Sequence, residues 1–366
     1  MEILANRELL LPMLSRVANV IERRQTLPIL GHLLLRTDET GVTIIGTDLE
    51  VEVRGHCETR VLGEGDTTVP SRKLVDIVRN LPDGSDVRFK LSGDRCVVTA
   101  GRGRYVLGTL PAADFPSIQM DAERRELEVE EGSIKRVFEK TAFAMAQQDV
   151  RYYLNGMLLE VDSRGICAVA TDGHRLARFH LDLDLDFEER FSAIIPYKTV
   201  MEMRRQFGTG SSPAVLRVAE KKVQFVVGDT VTTSKLVDGR YPDYEKVIPV
   251  NLSKTAVIDK EGLRGALSRT AILSNEKYRG VRLSFEKGLL CLQAHNPEQE
   301  EAVEEMELEF DGEATTIGFN VSYLSDVLTA LDGQFVEVRF QDGDSSSVWR
   351  AVGAENETFV VMPMRL

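Results

Sequence analysis

The chain has 366 residues, 43% of them hydrophobic and 28% charged, and 45 Lys+Arg against 58 Asp+Glu leave a net charge of −13. At roughly 100–150 residues per domain, that length holds two to four domains. The composition excludes wholesale disorder and a generally basic nucleic-acid binder.

The first predicted element is a helix with Leu10, Leu14, Val17 and Ile21 on one face, the three- and four-residue spacing of an amphipathic helix. A strand-like ILGHLLL follows at 29–35, then an apolar strand ending in Thr47-Asp48. Val69-Pro70-Ser71 leads into a second helix over 72–81. Val87, Phe89 and Leu91 alternate with polar residues in a strand, and Ser92-Gly93-Asp94 carries hairpin chemistry into a return strand. Phe115-Pro116 marks the exit.

The same order then recurs. Ser133 is the expected N-cap of a helix striped by Ile134, Phe138 and Met145; LNGMLLE follows at 154–160, then Thr171-Asp172, Ile195-Pro196-Tyr197, a helix over 198–207 and Tyr241-Pro242. A third pass brings Leu263, Leu267 and Ala271, YRGVRLS at 278–284, His295-Asn296, Phe319-Asn320-Val321, a helix over 322–331 and Met362-Pro363. Aligning Gly31, Gly156 and Gly280 gives offsets of 125 and 124. Internal repetition of this kind decides architecture. The reading is α+β, three copies of a domain with two helices on antiparallel sheet, divided at 1–124, 125–251 and 252–366.

Charge is polarised along the chain. Residues 298–313 carry nine acids (Glu298, Glu300, Glu301 and Glu304 among them) and no base, whereas Arg95, Arg102 and Arg104 cluster near Tyr105-Val106-Leu107. The acidic run is either a solvated stretch or one half of a head-to-tail contact between chains, which closes into a ring where geometry permits. Several helices set bases opposite their apolar stripes: Arg72, Lys73 and Arg79; Lys135, Arg136 and Lys140; Lys198, Arg204 and Arg205; Lys260, Arg264 and Arg269. Each alone is an ordinary solvated face. Their recurrence on equivalent helices points to one shared basic surface suited to a phosphate backbone.

Catalytic and cofactor signatures do not hold. Gly101-Arg102-Gly103-Arg104-Tyr105-Val106 places Val106 where a dinucleotide fingerprint needs glycine, and there is no GxxxxGK[ST] loop. In Thr171-Asp172-Gly173-His174-Arg175, a turn-stabilising Asp beside a partly buried His is the preferred reading. The first copy has Thr47-Asp48-Leu49-Glu50 there, without histidine. Cys57, Cys96, Cys167 and Cys291 lie far apart, with no CxxC. No catalytic residue, metal ligand or cofactor is expected. No apolar run nears the roughly 18 residues of a membrane span, and the first eight residues lack the features of a secretory leader, so a cytoplasmic location is expected.

Seven runs spread over the whole chain carry a family resemblance. They are Thr26–Gly31, Gly46–Glu50, Gln148–Gly156 (QDVRYYLNG), Ala170–Leu176 (ATDGHRL), Ser234–Arg240, Asn296–Glu301 and the terminal VVMPMRL. With them the chain resembles the bacterial sliding clamps, the β subunits of the replicative DNA polymerase III holoenzyme. The resemblance implies a ring-shaped homodimer that encircles duplex DNA as a non-catalytic processivity factor for DNA replication. By the family pattern, Arg24, Arg72, Gln148, Tyr152 and Tyr153 contact DNA, the tyrosines by stacking on an exposed base or primer end, and Lys198 and Arg205 of the basic helix faces are expected to join them. One side of the dimer seam is implied to hold Lys73, Arg102, Arg104, Tyr105 and Leu107, and the other Ile272, Leu273, Glu298, Glu300, Glu301 and Glu304.

A groove for short apolar partner peptides is likewise implied. Its wall would comprise Leu154, Thr171, Gly173, His174, Arg175, Leu176, Pro242, Val247, Asn320, Tyr323, Ser346, Val360, Met362, Pro363, Met364 and Arg365. The implied partners are the polymerase α subunit, the clamp loader, and other polymerases and repair proteins. Glu245-Lys246 stands where the family pattern has two arginines. Two other readings stay open on the residues alone: a hydrolase built on Asp172 and His174, and a peptide-binding scaffold that never surrounds DNA.

Overall fold

The computed structural model describes residues 1–24, 26–185 and 190–365, so Leu366 of the terminal motif lies outside the described residues. Four antiparallel sheets, of five, eight, eight and four strands, carry six α-helices among these residues. The chain separates into two compact units, Met1–Lys135 with Met201–Leu236 and Arg136–Val200 with Val237–Leu366. The units cut across the repeats for a reason visible in the ladders. In the first unit, Val51–Glu58 of repeat one pairs with Thr230–Lys235 of repeat two. In the second, Arg175–Asp182 of repeat two pairs with Glu357–Val361 of repeat three. Each eight-stranded sheet thus runs through a junction between repeats, and backbone hydrogen bonds make the junction as continuous as a domain interior.

Strand register confirms the triplication and corrects its alignment. Leu34 opposes Ile45, Leu158 opposes Val169 and Arg282 opposes Gln293, which is a constant step of 124. On that step His32, opposite Pro70, is equivalent to Gly156 and Gly280, which oppose Pro196 and Asn320. Gly31 is therefore one residue out. It ends the 3-10 turn Pro28–Gly31, where a Cβ would meet nothing within 4 Å, whereas a Cβ on Gly156 would lie 2.6 Å from the Ile195 carbonyl oxygen. Gly156 is sterically required; Gly31 is not.

The helices follow their stripes. Arg7–Ala18 buries Leu10, Leu14 and Val17, and Lys260–Thr270 buries Leu263 and Leu267. Ile21, Met145 and Ala271, assigned to the same stripes, fall beyond the helix ends. Ser133 is not the N-cap, because its helix, Glu131–Thr141, starts two residues earlier. The second helices of the repeats, Ser71–Arg79, Tyr197–Gln206 and Val321–Ala330, each begin one residue before expectation. The strand Asp86–Ser92 turns at Gly93 (φ +61°) into Arg95–Ala100, the predicted hairpin.

Candidate functional site

The polar pairs that close the central hairpins build one recurring turn. In repeat two the Asp172 carboxylate accepts the His174 and Arg175 N–H groups at 2.9 and 3.0 Å, and the Thr171 hydroxyl donates to the Arg175 carbonyl at 2.6 Å. In repeat one Asp48 accepts from Glu50 and Val51 at 2.9 and 2.7 Å, with Thr47 bonded to the Val51 carbonyl. The residue at the bend has positive φ in both, +87° at Gly173 and +79° at Leu49. Asp172 is thus the turn-stabilising residue expected. His174, however, is exposed rather than partly buried.

Around this turn, in the second unit, several of the residues expected in the groove come together, among them Leu154, Leu176, Tyr323, Val360 and Met362. The floor is an apolar cluster including Leu154, Leu158, Val169, Leu176, Tyr241 and Val360, all buried. Burial pushes the Tyr241 and Tyr244 hydroxyls well above the ordinary phenol range, so both stay neutral. Val247 and Pro242 stand exposed at the rim, and Met362, Pro363 and Met364 are half-buried. The C-terminal segment is docked as far as Met364. Beyond the strand Glu357–Val361, the Met362 N–H donates to the His174 carbonyl at 2.9 Å and the Met364 N–H to the Gly318 carbonyl at 2.8 Å. Met364 and Arg365 also border a cleft of about 390 Å³ with Tyr278, Arg282 and His295.

Asn320 caps the helix Val321–Ala330 by accepting the Ser322 N–H at 2.9 Å. Ser346 is half-buried in the loop before the strand Ser347–Ala351. At the 3-10 turn Tyr244–Lys246, both Glu245 and Lys246 are exposed, and Lys246 is paired with Asp243 at 2.7 Å. Sequence reasoning missed Asp326. This residue, Tyr323 and Asp172 all engage the Arg175 guanidinium.

A second feature adjoins this cluster. Residues 148–155 form a braced loop in which Asp149 and Asn155 exchange two hydrogen bonds of 2.9 Å and Arg151 grips Asp149 through two nitrogens. That grip holds the Asp149 carboxyl down at about 2. Gln148 enters the loop at φ +57°, and the brace displays Val150 (96% exposed) and Tyr152 (57% exposed). Tyr153 is half-buried against the groove cluster and meets Tyr152 edge-on at 5.7 Å. Of the two stacking candidates, only Tyr152 offers most of its ring.

The basic helix faces are more neutralised than the sequence implied. Lys140 is 4% exposed and buried in an ion pair with Glu357 at 2.7 Å, with Asp332 at 2.9 Å. It is no part of a solvated face. Arg136 pairs with Asp332, Arg264 with Glu261, and Arg269 with Glu304 through two 2.8 Å contacts. Arg205, on the outer side of its helix, pairs with Glu202 at 3.7 Å, while Lys198 and Arg204 are half-buried. Arg24, Arg72 and Lys73 are exposed.

The candidate seam residues lie on or beside two sheet edges, except Lys73, which is on the helix Ser71–Arg79. Gly103–Gly108 is the last strand of the five-stranded sheet, with Arg104, Tyr105 and Val106 exposed and Arg102 in the turn before it. Leu107 faces inward and belongs to the core, which leaves it little surface for a partner. Glu301–Glu307 is an edge of the four-stranded sheet, with Val303 exposed, and Glu298 and Glu300 lie in the loop before it. Ile272 is 76% exposed and Leu273 half-buried in the neighbouring 3-10 turn. Glu304 already holds Arg269, which lowers its carboxyl below the ordinary range.

Comparison with known proteins matches the chain to the DNA polymerase III beta subunit family in three pieces: the N-terminal domain over 1–119, the central domain over 128–243 and the C-terminal domain over 245–365. Among similar proteins, a beta sliding clamp from Pseudomonas putida is 45% identical over 98% of both chains, and one from Escherichia coli K12 is 43% identical over the full length of both. A solved sliding clamp from Pseudomonas aeruginosa, bound to griselimycin, covers both chains completely at 44% identity and a TM-score of 0.97.

Proposed function

The chain belongs to the DNA polymerase III beta subunit family, the sliding clamps that act as processivity factors in DNA replication, and from that membership we propose that it closes head to tail as a homodimeric, non-catalytic ring around duplex DNA in the cytoplasm. The observation that carries this is a pairing rule with one unused instance. Within the chain, the strand that closes the central turn of one repeat pairs with the last strand of the next: Val51–Glu58 with Thr230–Lys235, and Arg175–Asp182 with Glu357–Val361. What remains is the corresponding strand of repeat three, Glu301–Glu307, and the last strand of repeat one, Gly103–Gly108, each an edge. Long exposed edges are normally covered. The first is acidic and the second basic, so a second copy supplies each with its complement. The three-domain division at 1–124, 125–251 and 252–366 follows the same rule.

In this ring Arg24, Arg72, Lys198 and Arg205 contact phosphates, and Gln148, Tyr152 and Tyr153 meet the DNA at the braced loop. The groove beside Leu176 and Val360 takes short apolar segments of the polymerase α subunit, the clamp loader and other polymerases and repair proteins. The half-buried methionines suit several such ligands because thioether side chains adapt to different shapes. Sedimentation tests the assembly. The native chain should run near twice 40.9 kDa, and the double variant Arg102→Glu, Arg104→Glu should run as a single subunit and lose stimulation of a polymerase. A wild-type protein sedimenting as one subunit at micromolar concentration would overturn the reading.

A further inference from the structure

The two junctions inside the chain share one design, which makes each a control for the other. Register equivalence sets Leu176 and Val360 of the groove floor against Glu52 and Thr233 at the first junction. The same step of 124 sets Arg175 against Val51 and Asp326 against Glu202. At the first junction Val51 is a buried apolar residue, and Glu202 accepts a hydrogen bond from Gln206 at 2.9 Å. An arginine of the junction strand gripped by the facing helix carboxylate is thus present at the junction that carries the groove and absent from its twin, where Glu202 pairs with Arg205 of its own helix at 3.7 Å.

That grip is complete. Asp326 lies one turn beyond Tyr323 on the helix Val321–Ala330, so both reach the same guanidinium. Tyr323 presents its ring 4.6 Å from Arg175 Cζ, and Asp326 accepts from Nη1. Arg175 Nη2 donates to the Phe143 carbonyl at 2.7 Å, and Nε donates to Asp172 at 3.2 Å. The Phe143 ring lies 5.3 Å from the same group. All three guanidinium nitrogens are engaged, leaving two of the five N–H groups for any other acceptor. His174, the preceding residue, stacks on Tyr323 at 6.2 Å with 20° between the rings.

The geometry points to Asp326 as a positioning residue for the groove. By seating Arg175 on Tyr323 it fixes the Tyr323–His174 wall that a ligand meets, and Arg175 acts as a strut. This rests on the groove reading above. The test uses the full-length protein, with griselimycin as probe and calorimetry as readout. Loss of one charge-assisted hydrogen bond in the strut should weaken binding about tenfold in Asp326→Asn, with sedimentation unchanged.

Two further readouts separate positioning from general damage. The His174 ring resonances should shift in Asp326→Asn as the Tyr323 stack loosens, and Asp326→Glu should recover part of the affinity. In an Arg175→Gln background, adding Asp326→Asn should change nothing further. If Asp326→Asn binds like the wild type with unmoved His174 resonances, or if the two substitutions prove additive, the proposal is wrong. Val247→Asp at the exposed rim keeps the two readings apart. Should it leave griselimycin binding intact, the groove assignment fails first and takes this inference with it; should it abolish binding while Asp326→Asn does nothing, only the positioning role falls.

Discussion

Lys140 shows how a single side chain reverses its meaning in the fold. In the sequence it is one of three bases opposite an apolar stripe. In the structure it is buried against Glu357, 217 positions away, and Glu357 also accepts the Ala351 N–H at 3.2 Å. A buried pair contributes little net stability over an apolar pair, but removing one partner strands the other charge. Lys140→Ala should therefore destabilise by about 3–5 kcal/mol, read as an earlier unfolding transition in urea. Lys140→Met with Glu357→Leu should recover much of the loss. Asp149 behaves differently because its partner is local. Arg151 depresses its carboxyl to about 2, so the stabilisation is present above the unfolded value and disappears only as pH falls through that figure. The loop should stay braced at pH 4, with Asp149 still ionised by NMR titration. Asp149→Asn should speed tryptic cleavage after Arg151 at neutral pH.

Element scale is where the sequence was most readable. Period and punctuation located the helices and the hairpin at Gly93, because those signals are set by local burial and turn chemistry. Register was not readable, since it depends on which strand lies opposite. The Gly31 alignment slipped by one for that reason, and the edge status of Gly103–Gly108 and Glu301–Glu307 emerged only from the ladders. Once known, register makes a specific prediction. Thr232 opposes Val53 at the first junction and Phe359 opposes Ala177 at the second. The equivalent residues at the free edges are Tyr105 and Ala302. Antiparallel partners lie about 4.5–5.5 Å apart at Cα, inside the disulfide window. Tyr105→Cys with Ala302→Cys should form covalent dimers under mild oxidation. The native thiols should not compete, since burial raises all four, with Cys96 up to about 11. The same cysteine placed at Val106 instead of Tyr105 changes the strand face and should cross-link poorly.

For the whole molecule in the proposed ring, the decisive quantity is how weakly the bases hold DNA. Arg136, Arg205, Arg264 and Arg269 are exposed, and each has a carboxylate partner on its own chain. Such pairs are worth about 0–1 kcal/mol, so a passing phosphate can replace the carboxylate at almost no cost and be released as easily. A net charge of −13 further opposes tight non-specific binding. Affinity for linear DNA should then be low and fall steeply with salt, because counterion release sets it. If the proposed ring forms, retention by threading obeys a different law, since leaving a closed circle then requires an edge pair to part. Raising salt from about 50 to 200 mM should speed loss from linear duplex by an order of magnitude or more, while loss from nicked circles stays within about twofold. Equal loss rates from the two templates would mean that the protein is gripping DNA and not encircling it. Cutting the circle after loading should release the protein at the linear rate. Arg102→Glu with Arg104→Glu should erase the difference between templates without changing the salt dependence on linear DNA.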